Sequence, residues 1–348
     1  MVLVTGATGF LGRNLCPYLV AQGYRLRALV RSTSNVAFLR ELGVELAHGD
    51  VRDPDSLRRA IQGCRWVVHA AGKFRFWGRR EDFFAVNVEG TANVLAAALR
   101  ADVDRLVYIS TIAVVGAPRS GQLLDEQVQC DPRDAYQRSK LEAEKLVLST
   151  CWERGLPTIV LRPGAFYGPW GRYAFNRMFF EDPLKGLPVG VRDGTLLTFP
   201  LFVPDLAPVI VAAFARGRPG EIYNVAGASL THAQVHGIIS RLAGVRPCRV
   251  NPPRFALIWL ARLWTFLARY TGREPYYSIN MVPYVFCNWH TTSDKAQRDL
   301  GFVPTPFEDG ARQTIAWYRT QGIGPANWLG RLVVRLWQAP GEDPYRQA

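Results

Sequence analysis

Lysine is scarce in this chain. Five occur among 348 residues, against 37 arginines, and methionine occurs only three times. The six cysteines include no CxxC pair, and no Cys/His group has zinc-ligand spacing. No metal and no disulfide framework are therefore expected, and the scattered thiols fit a reducing, cytoplasmic setting. No apolar run reaches the ~18 residues that a membrane span needs. Met1 leads straight into the strand-like Val2-Leu3-Val4, with no secretory leader pattern. A charge block is missing too. The net charge is +13, yet each third of the chain is only mildly positive. Nucleic-acid surfaces concentrate such charge on one stripe or arm, so no nucleic-acid partner is expected.

What is present starts at the first residues. A β-branched run at 2–5 is followed by Gly6-Ala7-Thr8-Gly9-Phe10-Leu11-Gly12 and then by helical spacing through Leu15 and Leu19. Strand, glycine turn and helix in that order bring backbone N–H groups and a helix N-terminus close to a phosphate. Gly6, Thr8, Gly9, Phe10, Leu11 and Gly12 are the candidate dinucleotide contacts. A second strand at 26–30 completes the βαβ unit. Its tip lacks the acid that usually holds the ribose 2′-OH of NAD, and carries Arg31-Ser32-Thr33-Ser34-Asn35 instead. Arg31 suits a 2′-phosphate, so NADP(H) is expected over NAD(H). Two further strands end in Asp50-Val51 and Ala70-Ala71-Gly72. There Asp50 can accept from the adenine amino group, Val51 can pack on the ring, and the small residues leave room for a flat cofactor. His69, within a buried strand, reads as a satisfied core histidine.

A buried strand at 106–109 ends in Ser110-Thr111, and 25 residues after Thr111 comes Tyr136-Gln137-Arg138-Ser139-Lys140. Tyr136 and Lys140 are i and i+4 on a helix and share one face. A free phenol titrates near 10. A nearby lysine cation favours the phenolate, so Tyr136 can exchange a proton with an alcohol or ketone oxygen. Thr111 is a neutral donor to the same oxygen, and Lys140 can also bind the nicotinamide ribose.

These pieces resemble the extended short-chain dehydrogenase/reductases, the NAD-dependent epimerase/dehydratase family. The matching stretches are TGATGFLG at 5–12, GDVRD at 49–53, HAAG at 69–72, YISTIAVVG at 108–116, YQRSK at 136–140 and LRPGAFYGP at 161–169. The second half matches more loosely, through FVPDLAPVI at 202–210 and GEIYNVAG at 220–227. The resemblance implies an α/β fold, a Rossmann-type doubly wound parallel sheet with a smaller, mostly helical C-terminal substrate domain. It also implies a Thr111-Tyr136-Lys140 triad and a nicotinamide contact at Pro163. Residues 1–165 with a return segment at 196–226 would bind the cofactor, and 166–195 with 227–325 the substrate.

Dehydratases of this family need an acidic pair after the strand-end threonine. Ile112-Ala113 stands there, which argues against water elimination. The aromatic loop 73–80 and the aromatics after 167 look most like the 3β-hydroxysteroid dehydrogenase and dihydroflavonol reductase branch. Lys73, Phe76, Thr111, Tyr167 and Trp170 are the candidate substrate contacts. The expected reaction interconverts a secondary alcohol and a ketone on a bulky, largely apolar small molecule. A nucleotide-sugar epimerase with the same triad and an NADP-sensing regulatory protein are the alternatives. The last stretch, 326–348, carries Trp328, Leu332, Leu336 and Trp337 opposite Arg331 and Arg335. An amphipathic helix there would suit peripheral contact with the inner membrane surface, and a homodimer is the other use of such a face.

Overall fold

The computed structural model describes residues 1–119, 121–186, 194–245 and 252–324. The amphipathic tail expected over 326–348 lies outside them. Seven strands form one sheet: β1 (Val2–Thr5), β2 (Leu26–Val30), β3 (Glu45–His48), β4 (Trp66–His69), β5 (Arg105–Ile109), β6 (Thr158–Pro163) and β7 (Ile222–Val225). Every pairing between them is parallel. The order across the sheet is β3-β2-β1-β4-β5-β6-β7. Successive strands thus run outward in opposite directions from β1 and β4. That reversal opens a crevice at the strands' carboxyl ends, where doubly wound sheets bind ligands.

Parallel strands are covered on both faces, so they read as nearly continuous apolar runs. Both β1 and β6 are buried at every position. Among the described residues there are eight longer helices: α1 (Phe10–Ala21), α2 (Pro54–Ile61), α3 (Gly90–Arg100), α4 (Ala135–Arg154), α5 (Leu206–Arg216), α6 (His232–Ala243), α7 (Arg254–Thr271) and α8 (Phe307–Thr320). Alternation along β1 sends Val2 and Val4 to one face, against Leu15 and Leu19 of α1 and Ile210 of α5. Leu3 goes to the other, with Leu57 of α2, Val94 of α3 and Val147 of α4. A second core lies beyond the sheet. Tyr167, Phe175, Phe179 and Phe180 pack there with Val235 and Ile239 of α6 and Ile315 and Tyr318 of α8.

Among the polar residues buried in these strands are His69 and Arg162, and each has a side-chain partner. His69 in β4 has one ring nitrogen 2.8 Å from the Thr5 hydroxyl and the other 2.9 Å from that of Thr91. Burial, with the Lys140 charge adding to it, pushes His69 down to about 3. It is a neutral core histidine, as its strand position implies. Arg162 in β6 meets Glu144 of α4 in a bidentate ion pair, with Nε donating to Oε2 at 3.0 Å. The Ser110 hydroxyl donates to the same Glu144 oxygen at 2.7 Å.

Candidate active site

The turn between β1 and α1 has almost no room for side chains. Gly6 has φ +74°, and a Cβ there would lie 2.7 Å from the Ala70 carbonyl carbon and the Ala71 nitrogen. A Cβ on Gly12 would lie 2.1 Å from the Ala7 carbonyl oxygen. The turn is therefore pressed against the end of β4 on one side and α1 on the other. Gly9 is the N-cap and makes no side-chain cap, so the first N–H groups of α1 remain for an anion. This cradle fits the pyrophosphate of a dinucleotide. Thr8, Phe10 and Leu11 stand in the same turn and first helical turn.

The ends of neighbouring strands line the same edge. Arg31 follows β2 directly and is exposed. Asp50, just past β3, is gripped by Arg52, whose Nε and Nη2 donate to the two carboxylate oxygens at 3.0 and 2.9 Å. Those bonds, with smaller help from Arg31, hold the Asp50 carboxyl below the usual carboxylate range. Val51 is buried, and Ala70, Ala71 and Gly72 follow β4.

Helix α4 carries Tyr136 and Lys140, and its start is well defined. Asp134 caps it, accepting from the Gln137 N–H at 2.8 Å, and Gly155 ends it at φ 74°. Tyr136, Lys140 and Glu144 recur every fourth residue and face β5. The Lys140 ammonium donates to the Ile109 carbonyl at 2.6 Å and sits 4.2 Å above the Tyr108 ring. Burial lowers Lys140 to about 7, with Glu144 acting against it. Burial also pushes the Tyr136 phenol up, although its hydrogen bond with Thr111 opposes the shift. Asn87 fixes the neighbouring backbone: its Oδ1 accepts from the Lys73 N–H at 2.7 Å and its Nδ2 donates to Ser139 Oγ at 2.8 Å.

The Lys140 shift sets a sign for stability. Between pH about 7, the value in the folded chain, and about 10.4, the ordinary lysine value, the unfolded state binds the extra proton. Stability from this group therefore rises with pH across that window. In cofactor-free protein, the melting temperature of wild type relative to Lys140→Met should climb from pH 7 to pH 9. A flat or falling difference would refute the lowered value.

Thr111 and Tyr136 open onto an apolar cleft. Its described lining includes Phe10, Phe74, Phe76, Pro163, Tyr173, Phe175, Met178, Phe179, Phe199, Met281, Tyr284 and Val285, with Ser110, Thr198 and His232 as polar members. No Lys, Arg, Asp or Glu is among the described lining residues. His232 is lowered to about 4 by burial and by His236 beside it, so it too is uncharged near neutrality. Phe74 lies 4.6 Å from the Tyr136 ring, centroid to centroid.

Three of the substrate positions expected from sequence stand elsewhere. Tyr167 is turned into the second core, stacked on Phe180 at 5.7 Å and packed on Phe202 and Phe307. Its neighbour Phe166, in the same short strand Ala165–Tyr167, takes the cleft side instead. Trp170 is 40% exposed and is held between Arg13 and Trp317. Lys73 is drawn outward to Asp82 at 2.8 Å. Phe76 and Thr111 do line the cleft. Tyr173 lies in the aromatic segment after 167, whereas Met281, Tyr284, Val285 and His232 were unforeseen. The segment 281–285 carries no motif, and only its packing brings it to the site. For Phe74 a signal existed, the aromatic loop after HAAG.

A glycine cradle at the crevice of a doubly wound sheet, with a Thr-Tyr-Lys cluster beside it, defines an NAD-dependent oxidoreductase-type enzyme. Residues 2–226 match the sequence profile of the NAD dependent epimerase/dehydratase family, and the chain belongs to that family. The sterol demethylase protein B of Methylococcus capsulatus is 33% identical, over 92% of this chain and 99% of its own. A 3 beta-hydroxysteroid dehydrogenase/Delta 5-->4-isomerase of Mycobacterium tuberculosis is 30% identical, covering 87% and 86%. Among solved structures, the UDP-glucose 4-epimerase of Thermus thermophilus in complex with NAD superposes with a TM-score of 0.72 at 26% identity, over 91% of this chain and 98% of that one.

Proposed function

We propose that the enzyme interconverts a secondary alcohol and a ketone on a bulky, largely apolar substrate of steroid-, terpenoid- or flavonol-like character. The observation that carries this reading is the cleft: aromatic and aliphatic walls, uncharged throughout its described lining, with Thr111 and Tyr136 as its reactive polar edge. Such walls suit a flat apolar molecule fixed by a few polar contacts. A nucleotide-sugar diphosphate would need basic partners that this lining does not offer. The names of the sterol- and steroid-related relatives point the same way.

The bound nicotinamide supplies or accepts the hydride. Everything else falls to the chain's own side chains. Gly6, Thr8, Gly9, Phe10, Leu11 and Gly12 hold the pyrophosphate, with Asp50, Val51 and Ala70 to Gly72 around the adenosine half and Pro163 beside the nicotinamide. Tyr136 donates its proton to a ketone oxygen, or takes one from an alcohol. Thr111 donates to the same oxygen and holds it in line. Lys140 stabilises the phenolate left behind and binds the nicotinamide ribose.

The exposed Arg31 directly after β2 supports a preference for NADP(H), because a guanidinium at that tip can pair with a ribose 2′-phosphate. Replacing it, Arg31→Asp, should weaken NADPH binding by about tenfold or more while NADH binding holds or improves. Tighter NADH than NADPH binding in the wild type would sink the preference. The reaction itself is tested at 340 nm with NADPH and a panel of cyclic ketones. Net loss of absorbance supports the oxidoreductase. Turnover of a sugar nucleotide without net change would establish an epimerase instead, and binding without any turnover a sensor.

A further inference from the structure

Among the described residues, most large apolar side chains left in water lie on one element. Phe255, Trp259, Leu263, Phe266, Leu267 and Tyr270 of α7 are exposed, from 37% at Leu263 to 77% at Tyr270. Residues three and four apart share a helix face, so these six form one stripe. The helix is not loose on the protein, because its other face is engaged. Ala261 and Ala268 are buried. Leu257 packs on Phe76, Tyr173, Met281 and Val285, and Trp264 stacks on Tyr277 at 5.7 Å. A helix anchored through its inner face, and still carrying an outward apolar stripe, presents an interaction surface.

Charge identifies the occupant. The 18 residues of α7 include Arg254, Arg262 and Arg269 and no Asp or Glu, and Arg273 follows the helix. All four arginines are exposed. Arg262 and Arg269 lie three or four positions from Trp259 and Phe266, so they border the stripe. Long arginine stems can lie along apolar surface while the guanidinium reaches phosphate. No described helix is long and apolar enough to cross a membrane. Aromatic and leucine side chains on one face, arginines at its border and no acid are the make-up of a helix lying in a lipid headgroup layer. A second copy of the chain would set these same cations against each other. The stretch 325–348 is itself net basic, and complements α7 no better.

We propose that α7 docks the enzyme on an anionic lipid surface, with the stripe at the acyl boundary and Arg262, Arg269 and Arg273 on lipid phosphates. This docking is independent of which substrate the cleft takes.

The test uses the full-length protein, sedimented with vesicles of phosphatidylcholine alone or mixed with phosphatidylglycerol. Wild type should pellet with the mixed vesicles and stay largely in solution with phosphatidylcholine. Trp259→Glu with Phe266→Glu, and separately Arg262→Gln with Arg269→Gln, should each lower the bound fraction constant by about tenfold or more. NADH binding, followed by fluorescence, should be unchanged in both, which shows that they fold. Should one pair fail to fold, the other decides alone. Failure of wild type to pellet overturns the proposal. So does equal pelleting by a folded variant, the result if the membrane is reached through 326–348. A wild-type dimer in light scattering that the Trp259/Phe266 pair splits, without vesicle binding, also overturns it and makes α7 a subunit interface.

Discussion

Replacing Tyr136 by phenylalanine is expected to lower kcat by at least ~10²-fold, with NADPH binding nearly intact. A hundredfold loss corresponds to about 2.7 kcal/mol of transition-state stabilisation, within reach of a single positioned acid. The geometry gives the direction. Burial keeps the phenol protonated well past neutrality, so the resting group is a proton donor, ready for a ketone. The Lys140 ammonium, 4.2 Å from the Tyr108 ring centroid and bonded to the Ile109 carbonyl, waits on the same helix face to meet the phenolate. Thr111 lines the same cleft beside the phenol. The change to phenylalanine removes only the hydroxyl; ring, packing against Phe74 and the helix remain. Rates are read at 340 nm under saturating cofactor. A variant that keeps more than a tenth of wild-type kcat would overturn Tyr136 as the acid.

The second large effect is on stability. Glu144 and Arg162 expose only 2% and 4% of their side chains. Taking two charges out of water is costly, and their mutual attraction with added hydrogen bonds offsets that cost. For Arg162 burial alone would lower the guanidinium's pKa, yet the Glu144 carboxylate outweighs it and the net direction is upward. Glu144→Ala strands the guanidinium in the core, and loses the Ser110 bond as well. The expected cost is about 3–5 kcal/mol, a drop in Tm on the order of 10 °C for a chain of this size. Activity should fall too, because Ser110 precedes Thr111 at the end of β5. Replacing both partners by apolar residues, Glu144→Leu with Arg162→Met, should recover most of the loss. A single variant within about 1 kcal/mol of wild type would show that the pair is not coupled as its geometry states.

The first half of the chain was legible because its physics is local. A glycine turn, a capped helix and two residues at i and i+4 are short-range features, and Gly6, Gly12, Tyr136 and Lys140 stand where such spacing puts them. His69 was readable for the same reason, a lone polar residue in a buried strand. The parallel sheet and its crevice followed from repeated strand–helix alternation. Side-chain direction in the second half was not readable. Phe166 and Tyr167 are neighbours with similar rings, yet one faces the cleft and the other the second core, and only the pairing of their short strand with 200–202 fixes which. Trp170 was drawn away by Arg13 of α1, 157 residues earlier in sequence. Met281 and Val285 reach the site by tertiary packing alone, and no period or motif announces such an arrival.

The cleft joins two stretches of very different content. Its proposed chemistry, Thr111, Tyr136 and Lys140, is encoded before residue 141, while Phe175, Met178, Phe179, Met281 and Val285 come from the later part of the chain. On the proposed reading, proton transfer rests on the earlier segment, while the cleft walls are shared between Phe10, Phe74 and Phe76 and the later one. Drift in the later segment can retune which molecule is accepted without touching proton transfer, and recombination near the end of β6 would exchange appetite for one substrate against another in a single event. A chimera joining 1–163 of this chain to the remainder of a relative is the laboratory form of that history.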